Sequence, residues 1–80
     1  MNQRDTKGRL AAIENIEEVL ATLAAEGRPL TDMGKLISAI KAGRMEITPA
    51  VLASLDDALT SAIGENKQRA EIARQLRRLA

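Results

Sequence analysis

The chain has 80 residues, and its 12 Lys and Arg against 11 Asp and Glu give a formal net charge of +1. It contains no Cys, His, Phe, Tyr or Trp. These absences exclude a disulfide framework, an iron–sulfur cluster and a thiol or histidine catalyst, and they argue against a structural zinc site and against aromatic stacking on single-stranded nucleic acid. We therefore predict no cofactor and no metal site.

The first predicted helix covers residues 6–26. Its apolar residues recur every three or four positions, which is typical of an amphipathic helix and close to a short heptad seam. We expect Asp5 or Thr6 to cap its N-terminus, and Gly27, followed by Pro29, to end it. Five residues form the apolar series, which we also predict to be a self-association seam: Leu10, Ile13, Ile16, Leu20 and Leu23.

The second predicted helix covers residues 31–42. A start signal lies at Thr31 or Asp32, and Gly43 ends the segment. The apolar residues Met33, Leu36, Ile37 and Ile40 then fall on one face.

The third predicted helix covers residues 48–63 and has the clearest local signature in the chain. Thr48 can cap the helix, and Pro49 suits the first helical position because no backbone donor is needed there. Ile47 and Leu52 occupy the two positions of a hydrophobic staple, which fixes how the chain enters the helix.

The fourth predicted helix covers residues 67–79. Gly64 interrupts the preceding apolar stripe, and Asn66 can cap a new helix. One long helix bent at Gly64 remains the alternative. This terminal segment has five basic residues against Glu71, whereas the rest of the chain is net acidic.

Three arginines of the fourth helix flank its apolar strip. We predict that these arginines and the apolar residues of the strip together form a partner-binding surface. The arginines suit nucleic-acid phosphates, the acidic flank of the first helix in the same chain or a neighbour, or simply the negative end of the helix dipole. The predicted partner-binding residues are Ile72, Arg74, Leu76, Arg77, Arg78 and Leu79.

Acidic residues cluster on the first and third helices, but they do not point to catalysis. Glu14 and Glu18 flank the apolar stripe of the first helix, and Asp56 and Asp57 are adjacent on the third. Solvated charge is the ordinary interpretation of such pairs. No serine lies in a nucleophile elbow, and no phosphate loop occurs. We predict no enzymatic activity and no small-molecule substrate.

Residues 36–63 resemble the last helical hairpin in the phosphotransfer domain of chemotaxis histidine kinases. The resemblance lies in a helix ending at Gly43, a short turn, and a Thr48-Pro49 start to a Leu-rich helix. The phospho-accepting His is missing from this chain, so no phosphotransfer role carries over. The same stretch is also similar to the end of lambda-repressor-like helix-turn-helix domains, although the segment between Leu30 and Ile37 is several residues too short for the usual recognition helix.

We expect an all-α single domain spanning residues 1–80, a small bundle of three to four helices completed by oligomerisation. An aromatic-free core is shallow, and small scaffolds often add subunits. The expected function is that of a small regulatory or adaptor protein acting through helical protein–protein contacts, and the resemblance to the phosphotransfer domain implies a bacterial source. The alternative is a DNA-binding transcriptional regulator that uses the basic C-terminal helix. The polar N-terminus and the lack of a long apolar run predict a cytoplasmic protein with no membrane contact.

Overall fold

A computed structural model describes the backbone of residues 3–79 and the side chains of residues 8–79. Within this range the chain forms four helices and no strand: α1 (Gln3–Ala25), α2 (Thr31–Lys41), α3 (Pro49–Ile63) and α4 (Lys67–Leu79). The predicted all-α class is confirmed. The described helices show no oligomer, because a single chain is present.

The helices pack as a bundle in which α1 and α4 form the most extensive interface. The second helix also packs against α1, and α3 packs against α4. Residues of α2 and α3 line the same surface depressions, although the two helices have little direct packing between them. The bundle measures 38 × 25 × 21 Å along its principal axes.

All four helices contribute to one aliphatic core. Each helix contributes buried side chains to this core, and Ile47, which precedes α3, contributes another. Six large side chains are less than 2% exposed: Ile16, Leu23, Ile37, Leu59, Ile72 and Leu76.

The third helix begins as the sequence predicts. Thr48 is the N-cap, its Oγ1 accepts a hydrogen bond from the Val51 backbone N–H at 3.2 Å, and Pro49 is the first helical residue. Ile47 is buried, and Leu52 packs against the core, as a hydrophobic staple requires.

Asn66 separates α3 from α4 and binds both. Its Oδ1 accepts a hydrogen bond from the Arg69 N–H at 2.8 Å, which caps α4, and its Nδ2 donates to the Ile63 carbonyl at 3.0 Å. The chain therefore has two helices here, and the alternative of one bent helix is wrong because Gly64 to Asn66 lie outside both.

Glycines end α1 and α2 in the same way. Gly27 and Gly43 adopt φ values of +82° and +78°, which is the left-handed conformation that favours glycine. In each case the next residue closes a six-residue hydrogen-bonded turn: the Arg28 N–H donates to the Leu23 carbonyl at 2.8 Å, and the Arg44 N–H donates to Ala39 at 2.9 Å. Both predicted stops are confirmed.

The first helix begins earlier than predicted, whereas the second begins at Thr31 as predicted. Asp5 and Thr6 lie inside α1, which already includes Gln3, a good helix former. Leu30 is the N-cap of α2 and makes no side-chain cap hydrogen bond, while Thr31 is the first helical residue. The Leu30 side chain instead packs against the core, so apolar contact fixes the start of α2.

None of the four described helices is both long enough and apolar enough to cross a membrane.

Candidate functional site

The apolar strip of α4 lies in the core. Ile72 and Leu76 are fully buried, and Leu79 is 3% exposed, in the part of the bundle where α4 packs on α1. The strip does dock on another helix, as its sequence requires, but that helix belongs to the same chain. These three side chains hold the bundle together and offer no surface to a partner.

The apolar series of α1 faces the same interior. Ile13, Ile16 and Leu23 are buried in the core of the single chain. Leu20 is partly buried, and Leu10 is 44% exposed. A second copy could therefore reach only Leu10 and part of Leu20, because the rest of the predicted seam is buried within the single chain.

The three predicted arginines of α4 remain on the surface. Arg74 pairs with Glu71, and hydrogen bonds from Arg74 and then from Gln75 lower the pKa of the Glu71 carboxyl. The same pairing raises the pKa of Arg74. Arg78 donates from Nη1 to the Gln75 Oε1 at 3.1 Å. These bonds stay within α4, and neither goes to the acidic flank of α1.

The buried Gln75 links this network. It is 4% exposed, and its Nε2 donates to Glu71 at 2.6 Å while its Oε1 accepts from Arg78. Both ends of the amide are therefore satisfied, which offsets the cost of burying it. A polar cleft of about 340 Å³ lies here between α1 and α4.

Arg9 contributes a contact that the sequence does not reveal. Its Nη1 donates to the Leu79 carbonyl at 2.8 Å and so places a cation at the C-terminal end of α4. This position is favourable because unpaired carbonyls and the negative end of the helix dipole meet there. This hydrogen bond connects the N-terminal part of α1 with the C-terminal end of α4.

An apolar groove lies between α2 and α3, and we call it the α2–α3 groove. It consists of two adjoining depressions, and Leu36 borders both. The first depression, of about 380 Å³, is lined by Pro29, Leu30, Thr31, Asp32, Met33, Leu36, Ala58, Leu59 and Ala62. The second, of about 260 Å³, is lined by Leu36, Met45, Ala50, Val51, Ser54 and Leu55.

The groove exists because the side chains on the two sides of α3 differ in size. Leu55 and Leu59 are buried and hold α3 in the bundle. The side turned toward α2 carries small residues four positions apart, namely Ala50, Ser54, Ala58 and Ala62. Such side chains cannot fill the space between two helices, so the apolar walls remain accessible.

The sequence does not predict this groove. Leu36 belongs to the predicted apolar face of the second helix, and nothing in that pattern indicates that it borders a groove. The sequence does contain one indication of an uncovered face. Asp56 and Asp57 are the only charged residues of α3, and the helix has more apolar positions than one buried face needs. Periodicity alone does not tell which of them a neighbouring helix covers.

The lining of the groove is mainly apolar. Its polar lining consists of Thr31, Asp32 and Ser54, which are single side chains among apolar ones. Among the side chains of residues 8–79, no three acidic groups lie closely enough together to hold a metal ion.

Comparison with known proteins adds no relative. No protein-family model matches the chain, and no curated protein or solved structure matches it significantly. The resemblance at residues 36–63 therefore rests on the quoted residues alone.

Proposed function

We propose that this protein is a small non-enzymatic regulatory or adaptor protein that binds a partner protein through the α2–α3 groove. The observation that carries the proposal is the pair of adjoining apolar depressions that meet at Leu36. Concave apolar surface that stays in contact with water is typical of binding sites, because burying it in a complex is favourable.

The shape of the groove favours a helical ligand. Its α3 wall has 15 residues and is about 22 Å long at 1.5 Å per residue. An amphipathic helix laid in such a groove places apolar side chains at every third or fourth position into it. The partly exposed Leu36, Met45 and Val51 then become buried.

The experiment that tests this proposal compares two leucine variants. A partner is first isolated with the full chain as bait, identified by mass spectrometry and purified, and its affinity is measured by calorimetry. Leu36→Gln should weaken binding by about 30-fold, which is the effect of losing a central apolar contact of roughly 2 kcal/mol. The matched control is Leu10→Gln, since Leu10 is exposed on α1 and lines neither depression.

The control should bind like the unmodified protein. If both variants bind equally well, the groove is not the contact surface. Circular dichroism of each variant verifies that the helices are retained.

Self-association is a second proposal, supported by the small aromatic-free core. Light scattering should then give at least twice the chain mass of 8.6 kDa. A mass that stays at one chain over all concentrations contradicts it.

DNA binding through α4 is the alternative function. The exposed Arg74, Arg77 and Arg78 favour it, because arginines on one flank of a helix can contact successive phosphates. A DNA-binding protein should lose affinity steeply between low and moderate salt, and Arg77→Ala with Arg78→Ala should reduce the slope. Absence of salt-dependent DNA binding at low salt contradicts this alternative.

A further inference from the structure

We propose that the α2–α3 groove receives an amphipathic helix of another protein whose basic flank lies along α3. This inference rests on the proposed function and adds the chemistry and orientation of the partner. Its basis is the unequal distribution of charge on the two walls of the groove.

The α3 wall is acidic. Residues 45–66, which comprise α3 and the turns beside it, contain four carboxylates and no Lys or Arg: Glu46, Asp56, Asp57 and Glu65. Asp56 is neutralised by Arg69, whose Nη1 lies 3.1 Å from the Asp56 Oδ1. The other three carboxylates are exposed and make no ion pair with the described side chains.

Asp57 is the central carboxylate of this wall. It precedes Ala58 and lies three and seven residues after Ser54 and Ala50, so these residues share one flank of α3. Ala58, Ser54 and Ala50 all line the groove. A cation on a helix in the groove can therefore approach Asp57 from the rim.

The α2 wall carries both signs of charge. Asp32 lines the first depression, and Lys35 follows it on the exposed side of α2. Arg28 and Arg44 are exposed at the two ends of this helix. A partner therefore gains most when its positive flank faces α3, which sets the rotation of the helix in the groove.

A second copy of the chain fits this groove poorly. A symmetric pair in which the two α3 walls face each other would bring like charges together, and their repulsion opposes that pairing. The basic helix of the chain is α4, but its apolar residues Ile72, Leu76 and Leu79 are buried in their own bundle. It has no free apolar face to insert.

The two depressions also set the spacing of the partner's apolar residues. From α3, one depression is lined by Ala50, Val51, Ser54 and Leu55, and the other by Ala58, Leu59 and Ala62. Their centres are about seven residues apart along α3, or about 10 Å. Apolar side chains at positions i and i+7 of a partner helix match this separation.

A pair of designed peptides tests the inference. Both peptides carry leucines at the same positions, spaced so that they form one face of a helix. The remaining positions are Lys in one peptide and Glu in the other. Each is titrated into the ¹⁵N-labelled full chain at low salt, and amide shifts report both affinity and place. The Lys peptide should shift the residues of the α2–α3 groove and bind at least about fivefold more tightly than the Glu peptide, a preference that salt diminishes.

Charge-reversal variants separate the role of the α3 wall from that of net charge. Asp57→Lys should bring the affinity ratio of the two peptides close to one, and Asp57→Asn should lower it part of the way. The matched control is Glu14→Lys, which changes net charge equally at an exposed site on α1 that lines neither depression. This control should keep most of the preference for the Lys peptide.

The possible outcomes separate a failure of the basic-partner inference from a failure of the proposed function. Equal binding of both peptides in the groove overturns the basic partner but leaves the groove as a binding surface. If neither peptide shifts groove residues, both proposals fail. Groove resonances that move with protein concentration alone indicate a second copy and overturn the inference.

Discussion

Replacing Leu76 with alanine separates a core role of α4 from a role in partner binding. Leu76 is completely buried in α4, the helix that forms the largest interface with α1. Leu76→Ala removes buried apolar atoms and leaves a cavity, which costs about 2–5 kcal/mol in comparable cores. A domain of 80 residues is stable by only about 4–12 kcal/mol, so this one change removes a large share of its stability.

Thermal and urea unfolding followed by circular dichroism measures this loss. A cost of about 3 kcal/mol lowers the melting temperature by roughly 12–24 °C in a domain of this size. The control is Leu10→Ala, because Leu10 is 44% exposed, and it should change the free energy of unfolding by less than about 0.5 kcal/mol. Equal stability of the two variants would refute the assignment of Leu76 to the core.

Substitutions at three further residues test the local contacts. Thr48→Ala should lower the free energy of unfolding by about 0.5–2 kcal/mol, because it removes the N-cap acceptor of α3; no change in urea denaturation would contradict the capping role. Asn66→Ala should cost about 1–2 kcal/mol in the same assay, since both the α4 cap and the bond to the Ile63 carbonyl are lost, and Asn66→Asp should retain the cap. The folded chain lowers the pKa of the Glu71 carboxyl below its ordinary value of 4.5. The ionised carboxylate therefore stabilises the fold at pH values above 4.5, and this contribution is lost as the pH falls from 4.5 through the lowered pKa. Glu71→Gln should therefore make the melting temperature less dependent on pH in the acid range, and an unchanged dependence would contradict this.

The sequence predicts local structure well where one residue type has one physical role. Thr48 before Pro49 starts a helix, and Gly43 ends one, because cap acceptors and left-handed backbone depend on neighbours only a few residues away. The start of α2 shows the limit. Leu30 is its N-cap because the Leu30 side chain is held by the core, and no local rule reveals that contact.

The candidate site was harder to predict because it depends on which helix covers which face. The periodicity of Ile72, Leu76 and Leu79 shows that the strip must dock, but only the packing shows that α1 of the same chain covers it. Arg9 and Leu79 meet across 70 positions of sequence, which no motif records. The α2–α3 groove likewise arises from two helices that lie side by side with small residues between them.

The most direct test of the central claim is to map where the purified partner protein touches the chain. Amide shifts of the ¹⁵N-labelled protein should change at residues 30–36 and 50–62, which form the walls of the α2–α3 groove. The outward arginines of α4 should stay unchanged. Shifts confined to residues 67–79, with the groove unaffected, would contradict the account.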